Sequence, residues 1–295
     1  MSEFFIKLGK MDRRIVFLLI GFSVMLPLLF PVSCHIKPTA STERVFDAIE
    51  NLPDGGNMLI SMEYGPSTRP EIHPTAIALL QHCFLKNMKI TITNLWPDGV
   101  FQSVEALKLV APQFGAKKGE DWTHLGFRPG NEAVVKNIAS DIRSIYTVDY
   151  DGTLLDEIPM MTDIKNVDDY DMVFSLSAGY PGTVEWLQYA CDPKDVPLAT
   201  STTSIQVNEV VPYVASGQVA GIIAGMPGAA EYESLVQSKI EMMHKNDEIS
   251  NGLFENLKST KRMGIAGMGA QNIAHIVIVL LIIFGNIAYL LERRK

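Results

Sequence analysis

Positive charge, cysteine and familiar catalytic punctuation are all scarce in this chain, and each shortage removes a class of function. Lys and Arg number 25 against 33 Asp and Glu, a net charge of −8. Nucleic acid is bound through basic side chains, so no nucleic-acid partner is expected. The only cysteines are Cys34, Cys83 and Cys191. None forms a Cys-x-x-Cys pair, which argues against a zinc ribbon or a dithiol redox site. An oxidising compartment would allow one disulfide and leave one thiol over. Cys83 sits among Leu79, Leu80 and Phe84 and reads as a buried free thiol. The six histidines are scattered, with no H-E-x-x-H. Glu71-x-His73 is a lone pair on a loop, and a solvated pair is the ordinary reading. No metal site is expected.

Phosphate-binding glycine motifs are missing as well. The turn after the first expected strand reads Glu63-Tyr64-Gly65-Pro66-Ser67-Thr68-Arg69-Pro70, not G-x-G-x-x-G. No G-x-x-x-x-G-K-[ST] and no G-x-S-x-G occur. Nucleotide cofactors and a nucleophile elbow are therefore disfavoured, and no cofactor is expected.

Charge is absent altogether from two stretches, residues 15–34 and 273–291. Each is close to the ~20 residues that carry a helix across ~30 Å of hydrocarbon. Lys7, Lys10, Arg13 and Arg14 precede the first; Arg293, Arg294 and Lys295 follow the second. Basic flanks stay cytoplasmic. The expectation is a two-pass protein of the cell membrane: tail 1–14, span 15–34, extracytoplasmic domain 35–262, a Gly-rich juxtamembrane segment 263–272, span 273–291 and tail 292–295. The first run also fits a cleaved signal peptide, but Pro31, Val32, Ser33 and Cys34 make a poor cleavage site, and Pro31 spoils a lipobox before Cys34. An uncleaved anchor is preferred. Pro27 and Pro31 suggest a kink or an early stop at its outer end. Gly264, Gly267 and Gly269 permit a bend or close backbone approach before the second span.

Between the runs, apolar strand patterns alternate with helical ones. Strands are expected at 58–62, 89–95, 123–127, 172–176, 198–202 and 219–224. Helices are expected at 42–51, 74–85, 102–114, after Asn131 as N-cap, and at 183–190, 207–214 and 229–243. The stripe Val134, Ile138, Ile142 and Ile145 extends the fourth of these. Continuously apolar strands such as Met172-Val173-Phe174-Ser175-Leu176 are expected where both sheet faces are covered. The fold class is α/β: a Rossmann-like three-layer sandwich with a mostly parallel six-stranded sheet.

Ligands of such sheets bind beyond the carboxyl ends of the strands. The loops there nominate Glu63, Ser67, Arg128, Ser177, Gly179, Gly182 and Thr200. A cleft at the switch between the first and fourth strands would set Glu63 and Ser67 against Ser177 and the amides around Gly179 and Gly182. Such amides suit an anion or a carboxylate. The competing reading is plain βα turn chemistry, since Gly, Pro, Ser and Thr are the usual turn residues.

Asp149-Tyr150-Asp151-Gly152-Thr153 resembles the first motif of the haloacid-dehalogenase superfamily, D-x-D-G-T. The resemblance implies Asp149 as nucleophile, Asp151 as acid/base and Mg²⁺ beside a phosphate. Three βα units precede the motif here, and Asp168-Asp169 precede a strand instead of following one. Within or beside the second run lie Asn272, His275 and Asn286; Gln271 and His275, four apart, share a helical face, and Asn272 and Asn286, fourteen apart, nearly do. Polar side chains in lipid usually meet another helix, so other membrane proteins or a second copy are expected partners besides the bilayer. Of three readings, a non-enzymatic subunit or scaffold of a membrane assembly is preferred. An extracytoplasmic sensor or binder of a small polar or anionic ligand comes next, and a phosphatase-like hydrolase last.

Overall fold

The structure, a computed structural model, describes residues 12–30 and 36–293. It separates into an α/β unit, residues 36–264, and a helical unit drawn from residues 1–35 and 265–295.

The α/β unit begins with α2 (Ala40–Glu50), after the N-terminal helix α1 (Arg13–Leu29) of the other unit. It continues β1 (Asn57–Glu63), α3 (Arg69–Leu85), β2 (Lys89–Asn94), α4 (Pro97–Phe114), β3 (Trp122–Phe127), α5 (Glu132–Ser140) and β4 (Met172–Ser177). The segment after β4 starts as α6 (Thr183–Trp186), loosens into a π turn (Leu187–Cys191) and closes as α7 (Asp192–Lys194). Then come β5 (Leu198–Thr202), α8 (Val207–Ala215), β6 (Ile222–Ala224), α9 (Gly225–Lys245) and α10 (Asn251–Ser259). The last helix is α11 (Met263–Arg293).

All five strand pairings are parallel, in the order β3-β2-β1-β4-β5-β6. The order reverses between β1 and β4. Every residue of β4 is buried, which accounts for its mostly apolar sequence, Met172-Val173-Phe174-Ser175-Leu176-Ser177. β1 feeds two cores through the period-two alternation of a strand. Met58, Ile60 and Met62 pack with α3 and α9 residues such as Leu79, Leu80 and Tyr232. Leu59 faces the other side, with Val134, Ile138, Trp186 and Val210. Ser61 and Glu63 share the Leu59 face.

Several expected boundaries move. Helix α3 starts at Arg69, five residues before the expected start, because Pro70 occupies its first turn, where a missing N–H costs nothing. Asn131 holds the N-cap position of α5, but its φ is +50° and its side chain makes no capping bond. The expected stripe breaks after Ser140: Asp141 takes an extended backbone and its side chain accepts from the Arg143 amide at 3.0 Å. Ile142 therefore sits in a 3₁₀ turn, still buried. Helix α10 has no counterpart among the expected elements. Cys83 and Cys191 are both buried and free, while Cys34 lies outside the described residues.

In the helical unit the expected pair of spans is met in part. Among the described residues, one helix is long and apolar enough to cross a membrane, and it is the C-terminal one. Ile276, Val279, Ile282 and Leu290 of α11 are all exposed. The described part of the N-terminal run is helical over 17 residues, Arg13–Leu29. The rest of that expected span, 31–34, lies outside the described residues. Asp12 caps α1 through the Arg14 amide at 2.9 Å, and Pro27 sits inside the helix two residues before its end. Residues 263–272 are helical and continuous with 273–291. Close approach is what Gly264 supplies, since a Cβ there would stand 3.0 Å from the Ala230 nitrogen of α9.

Candidate functional site

The reversal between β1 and β4 makes their carboxyl ends the place where an open parallel sheet leaves a crevice. Glu63 and Ser177 are register partners there, so two expected residues are neighbours. Gly179 and Gly182 join them. The Ser177 hydroxyl donates to the Gly179 carbonyl at 2.9 Å. A Cβ on Gly182 would fall 1.9 Å from the Ser177 Oγ, so only glycine fits.

Glu63 is fully buried. Its Oε1 accepts from the Ser61 hydroxyl and, at 3.3 Å, from the Leu95 amide. Ser61 in turn accepts from the Trp186 indole at 2.8 Å. The Oε2 atom has no partner. Burial pushes the acid up to about 8; the Ser61 and Leu95 donors oppose the shift, and the Glu185 charge adds to it. Glu63 is thus a neutral acid at pH 7.

The crevice itself is roofed by the chain. Asn94, the last residue of β2, donates from Nδ2 to the carbonyl of Met62 on the neighbouring β1 at 2.9 Å. A Cβ on Gly99 would stand 2.0 Å from that same carbonyl. Further along the loop, the Trp96 ring lies within about 3 Å of where a Gly179 Cβ would be. The loops after β2 and β4 therefore meet over β1.

Open space lies one strand away. A cavity of about 190 Å³ sits at the carboxyl ends of β4 and β5, walled by Ser177, Gly179, Thr183, Glu185, Thr202 and Glu209 among others. Exposed Tyr180 forms its edge, and its hydroxyl donates to Glu132 of α5. The cavity is not at the expected β1–β4 switch, and its residues overlap the expected set only in Ser177 and Gly179. A larger hollow of about 400 Å³, lined by Asp192, Asp195 and Gln218, opens at the amino end of β5. That is the opposite edge from the one the strand-end rule favours.

The remaining expected residues are placed apart. Gly182 donates its amide to the Glu185 carboxylate at 2.7 Å, so that donor is already satisfied. Thr200 is wholly buried below the cavity; its hydroxyl meets Thr183 at 2.7 Å and the Ser175 carbonyl at 2.8 Å. Arg128 braces its own loop, donating to the Ile145 carbonyl at 3.2 Å with its guanidinium 5.0 Å from the Tyr146 ring. Ser67 is exposed between β1 and α3. Thr202, Glu185 and Glu209 were not nominated. Thr202 was within reach of sequence, being two residues beyond Thr200 on the same strand face and last in the strand.

The Asp149–Asp156 turn is built from local bonds. Oδ1 of Asp149 accepts from the amides of Asp151 at 3.0 Å and Thr153 at 2.8 Å. Lys118 pairs with Asp149 at 2.6 Å and also with Asp151. Burial works against this carboxylate, but Lys118 and the two amides outweigh it and hold the acid below the usual range. A bridge between Val148 and Leu154 closes the turn, and no strand of the sheet ends at Asp149. Glu71 and His73 serve separate contacts: Glu71 accepts from the Ser204 amide and hydroxyl at 2.8 and 2.9 Å, and His73 meets the Tyr64 hydroxyl at 2.8 Å. Among the described residues, no three His, Cys, Asp or Glu side chains gather as a metal-binding group.

Compared with known proteins, the chain matches no family model, no curated protein and no solved structure.

Proposed function

We propose that this chain is a two-pass membrane protein whose Rossmann-like α/β domain stands outside the cytoplasm as a non-enzymatic subunit or scaffold of a membrane assembly. The supporting observation is the surface of α11. Over 31 residues it carries exposed Ile, Val and Leu side chains, a surface that water does not tolerate at that length. Asn272, His275 and Asn286 are exposed on the same helix. An amide in hydrocarbon is costly until another helix satisfies it. The roofed β1–β4 crevice and the spent hydrogen bonds of the Asp149 turn also favour a structural role over catalysis.

Purification of the full chain in mild detergent, with native mass measurement, tests this reading. The expected result is a complex or a self-associated form, loosened by Asn286→Leu. A strictly monomeric and partner-free protein would overturn it. Single-cysteine labelling at Lys37 and at Lys7 in intact cells checks the topology: only position 37 should react with an impermeant reagent. Reaction at position 7 would invert the orientation.

A further inference from the structure

The cavity between the ends of β4 and β5 has a charge and a polarity that together define a ligand. Glu185 and Glu209 both line it, and no Lys, Arg or His is among its lining residues. Glu185 is held in place by the Gly182 amide at 2.7 Å. Thr202 is 1% exposed, and its hydroxyl has no hydrogen-bond partner. It shares a strand face with Thr200, whose hydroxyl reaches Thr183, another lining residue. The Thr202 hydroxyl is therefore on the cavity side of the sheet. A buried hydroxyl without a partner costs roughly 1–3 kcal/mol, and a ligand would remove that cost. Val184 and Val210 add apolar wall.

We propose that this cavity binds a small organic cation: a primary ammonium group on a short apolar stem. Glu185 and Glu209 attract the charge, Thr202 accepts an N–H, and the two valines cover the stem. At about 190 Å³ the space is below the roughly 300–1,000 Å³ of drug-sized sites, so a nucleotide does not fit. An anion would meet two carboxylates and an amide that is already engaged. A metal ion is disfavoured because no three ligating side chains gather among the described residues. The acidity of the chain as a whole, net −8, would steer cations toward it.

The inference is independent of assembly, because a single chain carries the whole cavity. Calorimetry of the full chain in mild detergent uses n-butylammonium, with n-butanol and butyrate as neutral and anionic counterparts of similar size. Saturable binding is expected for n-butylammonium alone, weakened by added salt. Glu209→Gln should raise its Kd about tenfold, the effect of one charge at a partly exposed ion pair and hydrogen bond. Glu209 is exposed, so the fold should survive this change, which circular dichroism checks. Thr202→Val should weaken binding severalfold. Glu241→Gln, on α9 outside the cavity lining, should leave it unchanged. Equal binding of n-butanol, no saturable n-butylammonium binding, or an unchanged Kd in a folded Glu209→Gln protein would each overturn the proposal.

Discussion

Glu63 and Asp149 are carboxyl groups of almost equal burial, 0% and 3% exposed, yet the protein moves their acidities in opposite directions. The difference is in depth and in donors: Glu63 lies inside the sheet between two cores, Asp149 in a turn near the surface. Asp149 receives two backbone amides and the Lys118 ammonium. Glu63 receives a hydroxyl and a long amide contact on one oxygen, nothing on the other, and faces the charge of Glu185. Burial removes water from both. Depth and the arrival of replacement donors together decide which group keeps its charge. The two sites also differ in reach. The Asp149 turn is closed almost wholly within six residues, whereas Glu63 depends on Trp186, more than a hundred residues away.

That dependence sets the largest expected effect. Trp186→Ala would empty the core beside β4 and remove the donor that holds Ser61 against Glu63. A loss of about 3–5 kcal/mol in urea unfolding is expected, as for other buried Trp truncations. A loss under about 1 kcal/mol would mean that the Glu63 network stands without it.

Acid pH gives the next effect. His73 and His124 are buried, and burial lowers each to about 4. Both are held neutral, so their contribution is present above the unfolded value near 6.5 and lost as pH falls toward 4. A melting curve should drop by several degrees over that window. His124→Gln should flatten part of the drop.

Glu63→Gln sharpens the contrast directly. The raised acid contributes stability that is complete below the unfolded value of 4.5 and lost as pH rises through about 8. The glutamine variant lacks that loss. It should match the parent near pH 4 and exceed it by roughly 4 kcal/mol at pH 8, at about 1.36 kcal/mol for each unit of pH between the two values. A constant difference across pH would show that burial leaves the acidity of Glu63 unshifted.

Asp149→Asn should move the other way and less. The amide keeps an acceptor for the Asp151 and Thr153 amides but loses the charge toward Lys118, which is partly exposed. About 1 kcal/mol of destabilisation at pH 7 is expected. The lowered acid contributes above its unfolded value of 3.8, so the gap between parent and variant should close as pH falls below that. Smallest of all, Ser67→Ala on the exposed β1–α3 loop should stay within about 0.5 kcal/mol.

Legibility from sequence followed the range of the interaction. β5 is readable to the residue and β4 to one residue: small and β-branched residues without charge mark β5, and a mostly apolar run marks β4 as covered on both faces. The start of α3 was missed because its first turn is written in Pro, Glu and Arg, residues equally at home in loops. The stripe through Ile142 and Ile145 promised more helix than exists, since the Asp141 side chain caps the next turn instead. At the site, Glu63, Ser177, Gly179 and Gly182 were nominated from strand ends and do cluster. Arg128 and Thr200 were nominated by the same rule, yet both are consumed by internal contacts. The contact that covers the β1–β4 crevice is Trp96 against Gly179, two residues more than eighty apart, which no local pattern marks.

The sequence by itself determined the parallel α/β architecture and the membrane-compatible C-terminal helix, because apolar runs and their periods are local properties. Only the tertiary structure decided which polar groups are spent and which stay open. Trp186 reaches Ser61, Ser204 reaches Glu71 and Lys118 reaches Asp149, and hydrogen-bond satisfaction is settled by neighbours in space, far apart along the chain. The open cavity is therefore at β4–β5 and not at the strand reversal, where the loop after β2 already fills the place.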